Sequence, residues 1–229
     1  MKKTLLLSVC ILSIAIYAVP TMAETLFSDL GPPGNVYDCC SGWTVSGMGI
    51  IGTSYTAANL FTVSGRGIFG LVQIDLAVSL ITGTNAFYAS IWTDNNGLPG
   101  SMVPGALWQN LSSSQNFGGC CGLITISGFP WVFLMGGQSY FMIVGPMSIY
   151  DTTWAAWNWN NQGVNGLDLY SVDGGQSWYS SGVDYPLGAF DVIGVQGCCG
   201  VPEPASLLLV GSGLFGVAAT AHKRLARRS

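Results

Sequence analysis

The stretch Val72-Gln73-Ile74-Asp75-Leu76-Ala77-Val78-Ser79-Leu80 decides the fold class of this chain. Apolar residues in it alternate with smaller or polar ones, and a period of two places the two sets on opposite faces of a β-strand. We therefore expect a half-buried strand. Its core face is predicted to carry Val72, Ile74, Leu76, Val78 and Leu80, and its other face Gln73, Asp75, Ala77 and Ser79.

Neighbouring stretches extend this pattern along residues 24–200. After a turn at residues 82–85, AFYASIWT (86–93) indicates a second strand, and SYFMIVG (139–145) is apolar on both faces, which is typical of a central strand. Glycine and Asn-Gly or Asp-Gly turn signals recur, and no stretch between the two ends has helical periodicity. The prediction is an all-β, antiparallel β-sandwich of jelly-roll type, with a small barrel as the alternative.

The N-terminal end has the features of a secretory signal. Lys2 and Lys3 precede an apolar run at residues 5–19, and Thr21 and Ala23 are the small residues expected before a cleavage site at Glu24. We interpret residues 1–23 as a cleavable signal peptide. An uncleaved membrane anchor is the alternative, but the run is short for a membrane span.

The C-terminal end has the features of a membrane anchor. Residues 205–221 lack charge, and a helix of that length covers roughly 25 Å, close to the minimum for a bilayer core. The basic tail at 222–229 carries Lys223, Arg224, Arg227 and Arg228. Since positive residues stay on the cytoplasmic side, residues 24–203 are predicted to lie outside the inner membrane.

Val201-Pro202-Glu203-Pro204, the helix at 205–221 and the basic tail occur in a fixed order. Together they resemble the PEP-CTERM sorting signal of Gram-negative bacteria, which exosortases recognise. The resemblance implies an exosortase as partner, transient anchoring in the inner membrane, removal of the tail near Pro-Glu-Pro, and delivery to the cell surface or the extracellular polysaccharide matrix. It covers only residues 201–229 and implies nothing about the chemistry of residues 24–200.

The charge of residues 24–200 limits the possible partners. This segment has ten acidic residues and one basic residue, Arg66, and so a net charge of about −9. Such a surface repels nucleic acid and anionic membranes, which argues against both as ligands.

The segment also contains no histidine, because His222 lies in the basic tail. Ser-His-Asp and Cys-His nucleophiles and histidine-containing zinc or copper sites are therefore excluded. We expect a non-enzymatic protein with no catalytic residues. The enzymatic alternative is a glycoside hydrolase that uses two aspartates such as Asp168 and Asp184.

Aromatic residues are concentrated between residues 154 and 179. Indole and phenol rings beside Asn and Asp are typical of modules that stack on sugars, although rings also fill sandwich cores. Each ring is thus a candidate for either role, and we expect at least one to be exposed. The carbohydrate-binding candidates are Trp154, Trp157, Trp159, Tyr170, Trp178 and Tyr179.

Two turn motifs each have a structural and a functional interpretation. Asp94 and Asn96 within TDNNGLPG (93–100) are weak calcium candidates, but a hairpin turn explains them better, and we predict no other metal site. SVDGGQSW (171–178) resembles the Asp-box hairpin of sialidases. Because a propeller needs several copies, we interpret this single copy as a hairpin in which Asp173 ties the turn and Trp178 packs beneath it.

Six cysteines form three vicinal pairs in a segment predicted to be exported. Oxidising conditions favour disulfides, and fifteen pairings are possible. Because vicinal disulfides are strained, we expect bonds between the pairs, with thiolate metal binding as the alternative. The disulfide candidates are Cys39, Cys40, Cys120, Cys121, Cys198 and Cys199.

These observations lead to one functional hypothesis with two alternatives. The chain is expected to be an exported, surface-directed protein of the extracellular polysaccharide matrix that binds carbohydrate. The alternatives are a purely structural matrix or adhesion protein, and the Asp-dependent glycoside hydrolase named above.

Overall fold

The computed structural model describes residues 22–129 and 131–197. The predicted membrane helix, sorting motif and basic tail, together with Cys198 and Cys199, lie outside these residues, as do residues 1–21 of the predicted signal peptide. Its last residue, Ala23, is described and begins the first strand. Over the part of the chain that is described, no helix has the length and apolar character that a membrane span requires.

The described residues form three sheets whose strands pair antiparallel. Sheet A has the order β1 (Ala23–Ser28), β14 (Phe190–Gln196), β4 (Ile68–Leu76) and β8 (Ile124–Ser127), with β9 (Phe133–Met135) also paired to β4. Sheet B has the order β2 (Gly42–Ser46), β11 (Trp154–Asn158) and β5 (Val78–Thr82). Sheet C has the order β13 (Tyr179–Pro186), β12 (Asn165–Ser171), β3 (Thr56–Thr62), β10 (Ser139–Pro146), β6 (Phe87–Asp94) and β7 (Pro99–Leu111). One short helix, α1 (Met48–Ile51), follows β2 within the described residues.

The main core lies between sheet C and the inner faces of sheets A and B. Phe61 of sheet C contacts Phe27 and Phe190 of sheet A, with ring centroids 5.4 Å apart in both pairs. Trp157 of sheet B contacts Phe190 at 5.6 Å. These contacts show two layers packed face to face, so the prediction of an antiparallel β-sandwich is confirmed. The jelly-roll connection pattern stays a prediction.

A second, smaller apolar cluster covers the outer face of sheet C. Residues of β3, β10 and β12 that alternate with the core-facing ones form it, namely Ala58, Phe141, Ile143 and Leu169. Strand β10 is therefore buried on both faces, between β3 and β6. The sequence prediction of a central strand at residues 139–145 is confirmed.

The stretch 72–80 differs from its predicted form in three ways. Asp75, Ala77 and Ser79, which were predicted on the uncovered face, are buried. The stretch also divides at Ala77 into the end of β4 and the start of β5, so that one chain segment serves two sheets. Ile74, Leu76 and Val78 are buried as predicted, but Val72 is 36% exposed. A register shift in the β4–β14 pairing lies between the partners of Leu71 and Gln73. This bulge moves Leu71 into the core in place of Val72.

Candidate functional site

A cleft lies where sheet B meets the β12–β13 edge of sheet C. Its volume is about 220 Å³, smaller than the roughly 300–1,000 Å³ of pockets for drug-sized ligands. That size suits one small polar unit or the end of a chain. The lining residues are Trp43, Thr44, Tyr55, Ala57, Asp168, Tyr170 and Ser181.

Strand register places the functional side chains of the cleft on one face. In the pairing of β12 with β3, Asp168 lies opposite Asn59 and Tyr170 lies opposite Ala57. Ala57 belongs to the main core, so Asp168 and Tyr170, two residues apart on β12, also point toward the inner side of sheet C. The cleft thus continues the space between the two layers beyond the end of the core.

Trp43 of β2 forms one wall of the cleft. Its indole N–H donates a hydrogen bond to the carbonyl oxygen of Pro186 at 3.0 Å. Its ring packs edge-on against Trp159 at 5.5 Å and against Tyr185 at 6.0 Å. Because the indole is fixed by one hydrogen bond and two rings, this wall is already ordered before a ligand arrives.

Tyr170 links the cleft to the outer surface. Its ring lies 6.2 Å from Tyr55 inside the cleft and stacks on Tyr179 at 5.6 Å with an interplanar angle of 30°. The side chain of Tyr179 is 50% exposed. The three phenol rings therefore form a continuous aromatic path from solvent to the carboxyl group of the cleft.

Asp168 places a carboxyl group in the wall of the cleft with essentially no exposed surface. The Asn59 amide donates to Asp168 Oδ1 at 2.6 Å, and Asn59 Oδ1 accepts the Gly188 N–H at 2.6 Å. Asp168 Oδ2 accepts no hydrogen bond of good geometry within the described residues, although the Ser181 hydroxyl lies close enough to affect the pKa of the carboxyl. Burial raises the pKa of Asp168 to about 7, against the lowering effect of the Ser181 hydroxyl and the Asn59 amide.

This arrangement supports binding better than acid–base catalysis. Near pH 7 the Asp168 carboxyl can donate or accept a hydrogen bond, and the surrounding rings offer flat apolar faces. The second carboxylate of the hydrolase hypothesis, Asp184, is exposed and accepts a hydrogen bond from the Asn165 amide at 3.0 Å. Since Asn165 and Asp168 lie on opposite faces of β12, the structure does not bring Asp168 and Asp184 together across one cleft.

The six predicted carbohydrate-binding rings occupy different environments. The prediction that Trp157 is a sugar-binding ring is wrong, because its side chain is fully buried in the main core. Its indole N–H donates a hydrogen bond to the carbonyl oxygen of Ala189 at 3.2 Å. Trp178 packs on the outer cluster of sheet C, and Trp154 and Trp159 are half-buried. Tyr170 lines the cleft and Tyr179 stacks beside it.

Trp43, Tyr55 and Ser181 were not among the predicted site residues. Trp43 and Tyr55 lie more than 100 positions before Tyr170 in the sequence. Strand pairing across sheets B and C brings them together, and no local pattern in the sequence reports that pairing. Of the lining residues, the sequence analysis named only Tyr170, as a sugar-binding ring, and Asp168, as a carboxylate of the hydrolase alternative.

Both turn motifs act as hairpin turns. Asp94 Oδ1 accepts the Gly97 N–H at 2.7 Å, and Asn96 and Gly97 have φ angles of 55° and 82°. Positive φ at both central residues is the requirement of the tight two-residue hairpin turn. The calcium interpretation of Asp94 and Asn96 stays an untested prediction.

In the Asp-box turn, Asp173 Oδ1 accepts the N–H groups of Gln176 and Ser177 at 3.0 and 2.9 Å, and the Ser171 hydroxyl at 2.7 Å. These hydrogen bonds, the backbone ones first, lower the pKa of Asp173 to about 2. Trp178 packs on the outer cluster of sheet C, with its ring beside Gly175 of the turn. This is the hairpin that the sequence analysis predicted.

The cysteines that the structure describes are free thiols. Cys39, Cys40, Cys120 and Cys121 form no disulfide bond with one another, so the predicted bonds between these two pairs are not present in the described part of the chain. Groups of three or more side chains able to hold a metal are absent from the same residues.

Comparison with known proteins adds one positive finding. The PEP-CTERM protein-sorting motif matches residues 200–224. No curated protein matches the chain.

Among solved structures, the chain is similar to the cysteine protease and lectin-like domains of Cwp84, a surface layer associated protein of Clostridium difficile. The TM-score is 0.43 at 14% identity, over 63% of this chain and 33% of that one. A second structure, a clostridial cysteine protease Cwp84 after propeptide cleavage, gives a TM-score of 0.42 at 13% identity, over 62% of this chain and 36% of that one. The chain spans about a third of the length of these proteins.

The sorting motif identifies the destination of the protein. It indicates export and surface localisation in a Gram-negative bacterium, with an exosortase as the processing partner. The described residues form an all-β fold, and the chain carries a PEP-CTERM protein-sorting motif at residues 200–224.

Proposed function

We propose that this exported surface protein binds a neutral polysaccharide in the cleft between Trp43 and Tyr170, and holds it in the extracellular matrix. The main support for the proposal is the lining of the cleft, in which the Trp43, Tyr55 and Tyr170 rings lie beside the polar side chains of Asp168 and Ser181. Aromatic faces next to polar side chains favour a ligand that has both apolar faces and hydroxyl groups.

The chemistry of the cleft favours a sugar over other small ligands. Sugar rings have C–H faces that stack on aromatic side chains, and their hydroxyls both donate and accept hydrogen bonds. A carboxyl with a pKa near 7 can pair with a hydroxyl in either protonation state. Acidic residues outnumber Arg66 by ten to one over residues 24–200, so the segment stays strongly negative even when the buried Asp29 and Asp168 keep their protons, and this charge disfavours an anionic polysaccharide.

The expected affinity of one site is low. Stacking on one ring contributes about 1 kcal/mol, and a cleft of about 220 Å³ contacts little more than one sugar unit. A dissociation constant from roughly 0.1 mM to a few millimolar follows. Many copies on one surface would still hold a long polymer, because multivalent attachment raises the effective affinity.

Affinity electrophoresis tests the proposed ligand class. The full-length protein, purified in detergent, is run through native gels that contain a neutral or an anionic polysaccharide. We expect retardation in at least one neutral gel, loss of that retardation in Tyr170→Ala, and none in the anionic gels. Equal mobility in every gel would favour the purely structural matrix role.

A further inference from the structure

An exposed apolar surface lies on the outer face of sheet A, where β9 pairs with β4. From residue 131 to residue 135 the side chains alternate between exposed and buried, and Val132 and Leu134 are the ones in the core. The outward-facing side chains, which are 76%, 39% and 54% exposed, are Trp131, Phe133 and Met135. Outward positions of a strand that faces water are normally polar, so three successive large apolar side chains there require a reason.

Strand β4 extends this surface. In the β4–β9 pairing, Ile68 lies opposite Met135, so the two side chains share a face of the sheet. Ile68 is 50% exposed, and Val72, which the bulge in β4 turns outward, is 36% exposed. Contiguous exposed apolar side chains mark contacts with another protein or with a membrane. We define the sheet A patch as Ile68, Val72, Trp131, Phe133 and Met135.

The one basic residue of residues 24–200 lies beside this patch. Arg66 is exposed and belongs to the loop that leads into β4. The Gly136 N–H, in the turn after β9, donates to the carbonyl oxygen of Gly67 at 2.8 Å. The backbones are so close that a Cβ atom at Gly136 would lie 2.8 Å from the Cα atom of Arg66. The loop of Arg66 therefore borders the patch at Met135.

The acidic residues lie elsewhere. None occurs in residues 39–74 or 95–150, which include every residue of the sheet A patch. Within sheet A, Asp75 and Asp191 pair near the other end of β4, and Glu24 lies on β1, beyond β14. The patch thus combines apolar side chains with a positive charge, on a β-sandwich that is otherwise strongly acidic.

The chain leaves the β-sandwich at the same place. The Gly197 N–H donates to the carbonyl oxygen of Ile68 at 3.1 Å, and the Gln196 amide donates to the carbonyl oxygen of Arg66 at 2.8 Å. Seven residues, 198–204, separate Gly197 from the predicted membrane helix at 205–221. Even when fully extended, seven residues span only about 25 Å. The predicted anchor would therefore keep the patch close to a lipid surface.

We propose that the sheet A patch inserts into the headgroup region of the membrane while the sorting tail is attached, so that the β-sandwich lies on the lipid surface. Tryptophan favours this region because its ring is apolar and its N–H is polar. Phenylalanine and methionine add apolar contact, and an arginine stem can lie on apolar surface while its guanidinium meets lipid phosphate. Anionic lipid fits Arg66 better than a second copy of the patch, which offers no negative partner.

Quenching by brominated lipid tests the contact. All eight tryptophans lie between residues 43 and 178, and the predicted membrane helix has none, so quenching reports on the β-sandwich alone. The full-length protein is reconstituted in nanodiscs of phosphatidylcholine and phosphatidylglycerol, with acyl chains that are plain or brominated near the headgroups. We expect brominated lipid to quench the wild type and this quenching to be lost in Trp131→Phe, which keeps the apolar surface but removes the reporter. Trp178→Phe is the control and should retain it, because Trp178 packs on the outer face of sheet C.

A second variant tests whether the patch itself makes the contact. Phe133→Ser/Met135→Ser keeps Trp131 and replaces two exposed side chains, and most of the quenching should be lost. Arg66→Gln should weaken the quenching in discs that contain phosphatidylglycerol and leave it unchanged in pure phosphatidylcholine. The patch shares no lining residue with the cleft, so these variants should bind polysaccharide like the wild type.

Two results would overturn the proposal. One is wild-type protein that brominated lipid does not quench, or that it quenches no more than Trp131→Phe, and this comparison does not depend on the folding of the double variant. The other is a dimer in detergent that Phe133→Ser/Met135→Ser separates into monomers, because the patch would then be an interface between copies of the chain.

Discussion

Asp29 follows β1 with its side chain only 2% exposed, and it accepts the Phe190 N–H through Oδ1 at 2.7 Å. Burial raises its pKa from 3.8 to about 8, against the lowering effect of that hydrogen bond. The folded state therefore keeps a proton that the unfolded chain releases near pH 4. The stability that this proton contributes is complete below about pH 4 and is lost as the pH rises through about 8.

The first prediction follows from this loss of stability with rising pH. Asp29→Asn should match the wild type in melting temperature near pH 4, and should exceed it at pH 9, where the wild type must bury a charge or unfold. Asp168 also has a raised pKa, of about 7, so its protonation adds a further stabilising contribution that is lost between about pH 4 and 7. Melting curves from pH 4 to 9 measure the effect. The exposed Asp184→Asn is the control and should follow the wild type, whereas parallel curves for Asp29→Asn and the wild type would contradict the assignment.

Trp157 gives a second prediction at the residue scale. Its ring is fully buried against Phe190, so Trp157→Ala should lower the free energy of unfolding by about 3–5 kcal/mol. Trp131 is 76% exposed, and Trp131→Ala should change the free energy of unfolding by about 0.5 kcal/mol or less. Urea denaturation compares the two. Similar losses in both variants would mean that Trp157 does not occupy the core.

Single residues also show what the sequence could not predict. Trp157 and Tyr170 are both aromatic residues on strands, yet one fills the core and the other lines the cleft. Alternation along a strand separates two faces, but it does not say which face is covered by another layer. Asp75 illustrates the same limit, because it is on the predicted polar face and is nevertheless only 8% exposed. It lies opposite Asp191, whose pKa burial and the nearby Asp75 charge raise to about 6.

At the scale of elements, the β6–β7 hairpin shows how turn chemistry sets register. Asn95 and Leu98 exchange backbone hydrogen bonds at 2.8 and 3.3 Å around Asn96 and Gly97. Gly97 has a φ of 82°, where a Cβ atom costs about 1–2 kcal/mol. The turn signal was readable from the sequence because its residues are adjacent and each has a known conformational preference.

The third prediction concerns this hairpin. Gly97→Ala should destabilise the protein by about 1–2 kcal/mol, because alanine is strained at positive φ. Asn96→Gly is the control and should be neutral within about 0.5 kcal/mol, since glycine accepts the φ of 55° at that position. Thermal denaturation of both variants measures the difference. A neutral Gly97→Ala would argue against the described turn.

The β4–β5 segment shows which element-scale features were beyond the sequence. Its strand character followed from local periodicity, but the change from sheet A to sheet B at Ala77 did not. The Ala77 N–H donates to Ala189 at 3.0 Å, and the Ala77 carbonyl accepts the Asn158 N–H at 2.8 Å. Those partners come from distant parts of the chain, so the break depends on tertiary pairing, as does the bulge that exposes Val72.

At the scale of the whole molecule, the charge distribution and the sorting motif describe an exported domain with an acidic surface. Within residues 24–200, acidic residues outnumber Arg66 by ten to one. The acidic character and the sorting motif could both be predicted from the sequence, because the motif is contiguous and charge can be counted without a fold. The cleft could not, since its walls come from β2, β12 and β13 of two different sheets.

The fourth prediction concerns sorting. Replacing Pro202, Glu203 and Pro204 by alanine should leave the protein membrane-bound and unprocessed in a host with an exosortase. The exosortase would no longer recognise the motif, and the predicted helix at 205–221 would still hold the protein in the membrane. A chain that stops after Gly200 should be released as soluble protein. Fractionation and immunoblotting measure both outcomes. An alanine variant that matures to the wild-type size would show that the motif is not the processing signal.

A fluorescence titration of the full-length protein with the neutral polysaccharide that retards it most shows directly whether the cleft binds sugar. Trp43 lies in the cleft wall, so its emission should shift as sugar binds. Tyr170→Ala should raise the dissociation constant about tenfold. Tyr150→Ala, which removes a 72% exposed ring outside the cleft, should leave it unchanged. Equal dissociation constants for the wild type and Tyr170→Ala, with both proteins folded, would contradict the proposal that this cleft is the binding site.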